Sequence, residues 1–192
     1  MLDATQLFEG AQTELREGAI PVKYTVPRIT GTFWPHLATL ALTDAVLTPD
    51  QPTEKGLRVI ALAAEMVTHM PALQILELWY GDKQHGCLFR FEPAQNSIST
   101  PPTITIQTTW DGQPEWWTPE MEATWATKAT QFSRLPLRVE HSVLLEMGSP
   151  SGNRLAPYMR VMEHLTLRDL VIDPVSFHDM KQDATHAVPY DA

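Results

Sequence analysis

Apolar positions recur along this chain in two rhythms. Three stretches share the first: Leu37-x-x-Leu40-x-Leu42, Leu73-x-x-Leu76-x-Leu78 and Leu167-x-x-Leu170-x-Ile172. That spacing is the strand pattern of leucine-rich repeats, whose units stack on their neighbours to bury one face. Between the first two copies, Leu57, Ile60, Ala61, Ala64 and Val67 fall on one helical stripe, with Thr53 placed to cap its start and Pro71 to prevent its continuation. Strand, helix, strand in that order predicts two parallel, adjacent strands joined by a crossover. The third copy predicts another strand of the same kind.

After Gly81 the rhythm shortens to a period of two. Cys87, Phe89 and Phe91 alternate with Leu88, Arg90 and Glu92; Ile104, Ile106, Thr108 and Trp110 alternate with Thr103, Thr105, Gln107 and Thr109. These predict a hairpin with the polar stretch 93–102 as its loop. Thr118 and Pro119 read as the cap and first residue of a helix with Met121, Trp125, Ala129 and Phe132 along its inner stripe. Residues 137–146 alternate again as a strand, and residues 148–157 read as a loop. Asp173 and Pro174 open a last helix reaching about Asp183. At the other end, Leu7, Ala11 and Leu15 predict a short helix over 3–18, followed by a proline-rich extended connection. The whole is expected to be one α/β domain over 1–192: leucine-rich-repeat-like parallel strands with crossover helices, joined to a β-hairpin of antiparallel character, with helices over one face. Residues 1–35 hold the N-terminal helix and connection, and 184–192 form a C-terminal tail.

Composition narrows the partners. Apolar residues make up 43% of the 192, with six Trp, enough for a sizeable core. The net charge is -9 and the Lys and Arg residues stand singly, so neither nucleic acid nor a membrane surface is expected as a partner. Asp3 and Glu9 stand where a signal peptide needs a basic start, and the single Cys87 excludes an intramolecular disulfide; both suit a cytoplasmic protein. No P-loop, dinucleotide fingerprint or HExxH motif occurs, and Pro150 stands where a nucleophile elbow needs Ser. His178, Asp183 and His186 could approach a metal, but acidic and imidazole groups on the outside of a terminal helix are more simply solvated; no metal or cofactor is expected. Glu140 and His141 are adjacent on a strand and therefore point to opposite faces.

The ordered set Met70-Pro71, Leu76, Glu77, Trp79, Gly81, Cys87, Phe89-Arg90-Phe91, Thr105, Thr108 to Trp110 and Asp173-Pro174-Val175-Ser176 resembles the C-terminal domain of unknown function in fungal proteins that carry an F-box-like and leucine-rich region. The resemblance covers about residues 55–183. It implies descent from the substrate-reading end of a ubiquitin-ligase adaptor, here without the F-box region, and it lends no catalytic residues.

Strand alternation supplies a candidate site. With the leucines facing the core, Ile75, Glu77 and Trp79 should face an uncovered side. Should Arg90, Gln107 and Arg138 share that side, with Trp110 nearby, the result is an apolar floor with a few directed polar groups, the makeup of a small-molecule site. The competing reading is a salt-bridged sheet face, since cross-strand Glu/Arg pairs are ordinary stabilisers. Trp117 reads either as a lid or as a hydrophobic staple before its helix. The leading functional expectation is a stand-alone protein of specialised metabolism that binds an apolar terpenoid or polyketide. As an enzyme it would be a cofactor-independent cyclase of the pericyclase type, such as an intramolecular Diels-Alder catalyst. Glu77, Arg90 and Gln107 would polarise the substrate, and Ile75, Trp79, Trp110 and Arg138 would hold it. The alternative is a non-catalytic protein-interaction module.

Overall fold

Register decides whether leucine triplets stack, and two of the three do. The computed structural model describes residues 34–94, 99–144 and 155–186. In it β1 (Thr39–Thr43) runs parallel to β2 (Ile75–Gly81), with Leu40 opposite Leu76 and Leu42 opposite Leu78, the alignment at which the sequence repeats itself. The crossover is α1 (Thr53–Met66), which buries Val59, Ile60, Leu62, Ala63, Ala64 and Met66. Its cap is Pro52; Thr53 is already helical and donates its hydroxyl to the Glu115 carboxylate at 2.6 Å.

The alternating segments form β3 (Gly86–Glu92) and β4 (Thr103–Thr108), antiparallel to each other, and β3 is also antiparallel to β2. From β4 the chain crosses through α2 (Pro119–Ala129) to a parallel β5 (Arg138–Val143), completing a mixed sheet in the order β1-β2-β3-β4-β5. The two crossovers leave strands that point the same way and move the same way across the sheet. A common handedness therefore puts both helices on one face. Phe89, Phe91, Ile104 and Ile106 join the leucines there, and the fully buried Trp125 of α2 lies 5.1 Å from Phe89 and 5.0 Å from Phe91 between ring centroids. Thr118 caps α2 as its sequence predicts, accepting from the Met121 N–H at 3.3 Å.

The expectation of helices on one face only is corrected by the rest of the chain. Helix α3 (Pro157–His164) lies on the opposite side of β2 and β3, where Met159, Val161 and Met162 bury Trp79 and Leu88. Two glycines permit this approach: a Cβ at Gly81 would stand 2.5 Å from the Tyr158 backbone, and one at Gly86 would stand 2.8 Å from the Pro157 carbonyl. The third triplet is also corrected. It is not a strand but the short helix α4 (Arg168–Val171), with Leu167 buried and Leu170 74% exposed. A three-residue spacing serves a helical turn as well as a strand, and the segment joins neither edge of the sheet. Helix α5 (Pro174–His186) follows, its first N–H groups at Val175 and Ser176 donating to Asp173 as expected. Among the described residues no helix is long and apolar enough to cross a membrane. The expected helix over 3–18, most of the proline-rich connection and most of the 148–157 loop lie outside the described residues.

Candidate functional site

Register places Glu77 directly opposite Arg90, Arg90 opposite Thr105, and Thr105 opposite Glu140, so one polar row crosses the sheet. Gln107 and Arg138 lie on the same face through alternation, as do Ile75 and Trp79. The predicted set thus shares a side, apart from Trp110. That residue follows β4 on the core side and meets the His85 ring edge-on at 5.9 Å.

The side is not uncovered at Glu77, and here the expectation is corrected. Glu77 is 0% exposed. Its Oε1 accepts from Arg90 Nε at 2.8 Å and from the Thr166 N–H at 2.8 Å, and its Oε2 accepts from the Leu167 N–H at 2.9 Å. Arg90 Nη2 in turn donates to the His164 carbonyl, the last residue of α3. The anion therefore satisfies N–H groups entering α4 and the cation sits at the C-terminus of α3, each charge at the helix end that favours it. The pair clamps the turn between two helices across the sheet from the leucine core. Its bonds are charge-assisted and nearly dry. Trp79 and Ile75 are buried beside it at 4% and 7% exposure. Gln107 points to the other half of the face and donates to the Ser142 hydroxyl at 3.2 Å, while Arg138 pairs with Glu140 on its own strand at 2.5 Å.

The lid reading of Trp117 is corrected, while its burial in one cluster with Met121 agrees with the staple. Trp116 and Trp117 are both 3% exposed and belong to the core; Trp116 donates to the Leu47 carbonyl at 3.4 Å, and Trp117 stacks at a tilt on Phe89. Among the described residues no group of three or more His, Cys, Asp or Glu side chains could hold a metal ion. His178 meets Gln182 at 2.8 Å, and the side chains of Asp183 and His186 lie outside the described residues. Burial pushes the Cys87 thiol far up, so it stays protonated and unreactive.

What stands open lies at the far edge of the sheet. Two shallow hollows, about 680 and 300 Å³, share the wall Gln113-Pro114. The larger runs past Trp117, Thr118 and Glu122 at the start of α2; the smaller is floored by Ile106 and Thr108 and rimmed by His141, Ser142 and Val143 of β5. His141 stacks at a tilt toward Trp117. Partial burial holds its imidazole below the ordinary value of 6.5, against a smaller opposite pull from Glu122. Beside this groove the sheet ends at β5. The Arg138 N–H donates to Pro102 and the Leu144 N–H to Thr108, both toward β4. By the alternation of a parallel ladder, the N–H and C=O groups of Val139, His141 and Val143 point outward. Among the described residues no strand covers them.

Sequence reasoning found the Glu77 and Arg90 pairing, because alternation places both on one side. It missed the His164 carbonyl and the Thr166 and Leu167 N–H groups, which are backbone and carry no side-chain signal. It also missed the groove, whose only hint is the Gly112 to Pro114 turn facing an alternating strand.

The fold and site define an α/β domain with a five-stranded mixed sheet, closed by an ionic clamp on one side and, among the described residues, with no strand beyond β5. The profile of a family of unknown function, DUF6546, matches residues 1–173, and the chain belongs to that family. No curated protein and no solved structure matches it.

Proposed function

We propose that the chain is a non-catalytic protein-interaction module that receives an extended segment of a partner along β5. The observation that carries this reading is the outward row of backbone groups at Val139, His141 and Val143, flanked by a groove lined by Trp117, Gln113 and His141. An added strand gains main-chain hydrogen bonds at such an edge and gains specificity from the hollows beside it. In this reading the two stacked leucine units descend from a leucine-rich, F-box-associated receptor of fungal type, and the protein acts in the cytoplasm.

The cyclase reading assigns polarisation to Glu77, Arg90 and Gln107. It requires a ligand to reach a carboxylate that is 0% exposed and engaged by three donors. Binding at β5 requires no rearrangement of the described residues, which is why it is preferred. The test is selection of peptides against the immobilised domain, followed by fluorescence anisotropy on Val139→Pro and His141→Pro variants. Proline at these positions removes an outward N–H without removing a bond to β4. Each variant should bind the selected peptides about tenfold more weakly, the equivalent of one to two hydrogen bonds. Peptides that bind both variants as well as the native chain contradict the proposal. So does a polyene whose binding depends on Gln107.

A further inference from the structure

The charges on β5 are arranged to meet a second copy of the same strand. Arg138 and Glu140 lie two residues apart on one face of an edge strand, with side-chain exposures of 65% and 43%. Between them Val139 points its backbone outward, as derived above.

We propose that two copies of this chain associate through antiparallel pairing of their β5 strands about a two-fold axis at Val139, extending the sheet across the dimer. This partner rests on the reading of β5 as the docking edge.

A two-fold register centred on any residue of β5 matches outward backbone to outward backbone, so the charges choose among them. Centring on Arg138 opposes two guanidinium groups, and centring on Ser142 or Val143 leaves Arg138 and Glu140 without an opposing charge within the strand. Centring on Glu140 sets the two Glu140 carboxylates opposite each other, which is unfavourable. Centring on His141 sets Glu140 against Ser142 and leaves Arg138 without an opposing charge. Centring on Val139 sets Arg138 against Glu140 of the partner copy twice, exchanging one intrastrand pair in each chain for two cross-strand pairs. Such self-complementarity is what an isologous interface requires. Apart from the charges of Arg138 and Glu140 the strand lacks the usual protections of a free edge: it holds no proline, no lysine and no bulge in its pairing with β4. The net charge of -9 on each chain opposes approach. Association should therefore strengthen as salt rises from about 0.01 to 0.15 M, where the screening length falls from about 30 to 8 Å.

The experiment is sedimentation of the full chain over a concentration series at about 0.15 M salt, with disulfide trapping to read the register. A hydrogen-bonded antiparallel pair has Cα atoms about 5.5 Å apart, within reach of a disulfide. Val139→Cys should yield a covalent dimer under mild oxidation, while His141→Cys and Glu140→Cys should not. The native Cys87 is buried and does not compete. Arg138→Glu and Glu140→Arg should each weaken association about tenfold, and the double exchange should restore it, because the pairs are then reversed but intact. A chain that stays monomeric throughout overturns the proposal. So do trapping at position 141 in place of 139 and an exchange variant that fails to recover. A monomer whose selected peptides still depend on Val139 and His141 overturns the dimer alone and leaves the docking edge standing.

Discussion

Replacing Glu77 with alanine removes the acceptor for three donors at once. Arg90, only 15% exposed, is left without its anion, and the Thr166 and Leu167 N–H groups lose theirs. Breaking a buried ion pair from one side costs about 3–5 kcal/mol, chiefly from the charge left behind. Two stranded N–H groups add about 1 kcal/mol each. The expected loss is therefore about 5 kcal/mol, against a total of about 5–15 kcal/mol for a domain of ordinary stability. The thermal midpoint should fall by about 10–20 °C. Urea unfolding followed by tryptophan fluorescence, with calorimetry in parallel, reads both quantities. Glu77→Gln, which keeps an acceptor oxygen but no charge, should lose about half as much. A Glu77→Leu/Arg90→Leu double variant should be more stable than Glu77→Ala by about 2 kcal/mol, since it strands no charge. A loss below about 1 kcal/mol for Glu77→Ala would refute the clamp, for that is the worth of an exposed pair.

Gly81→Ala should destabilise by about 1–3 kcal/mol, measured by the same unfolding, because the new methyl meets the Tyr158 backbone and α3 must shift. Thr118→Ala removes the cap of α2 and should cost about 1 kcal/mol. The His141 imidazole is held below 6.5 in the folded chain, so the unfolded chain binds more protons as pH falls through that value, and native stability declines. The same decline should be absent from His141→Gln, and the gap between the two urea midpoints should open only below pH 6.5. An equal slope in both proteins would show that His141 does not contribute.

The sheet was legible where one pattern had one structural solution. Leucines repeating on either side of a helical stripe could only be parallel neighbours, and the register of β1 with β2 follows from the repeat itself. Alternation in β3 and β4 placed Arg90 against Glu77 on the same reasoning. The third triplet failed because Leu167 and Leu170 satisfy a helical turn equally well, and what settles the choice is a carboxylate ninety positions earlier in the chain holding that turn. The covered face was missed for a related reason. Nothing within β2 announces α3, although Gly81 and Gly86, paired at the end of the hairpin, mark where a backbone comes close. Burial of Glu77 is thus a tertiary fact carried by glycines and by backbone donors, and it turns an apparent site into a structural joint.

The most direct test of the working edge is residue-resolved amide hydrogen exchange along β5, recorded on dilute and on concentrated samples. In the dilute chain the amides of Glu140, Ser142 and Leu144 should be protected by β4, while those of Val139, His141 and Val143 exchange quickly; concentration should slow Val139 and His141, which the two-fold at Val139 pairs, and leave Val143 fast. Protection of Val139, His141 and Val143 at every dilution would mean that the chain covers its own edge, and the account of β5 as a docking strand would be wrong.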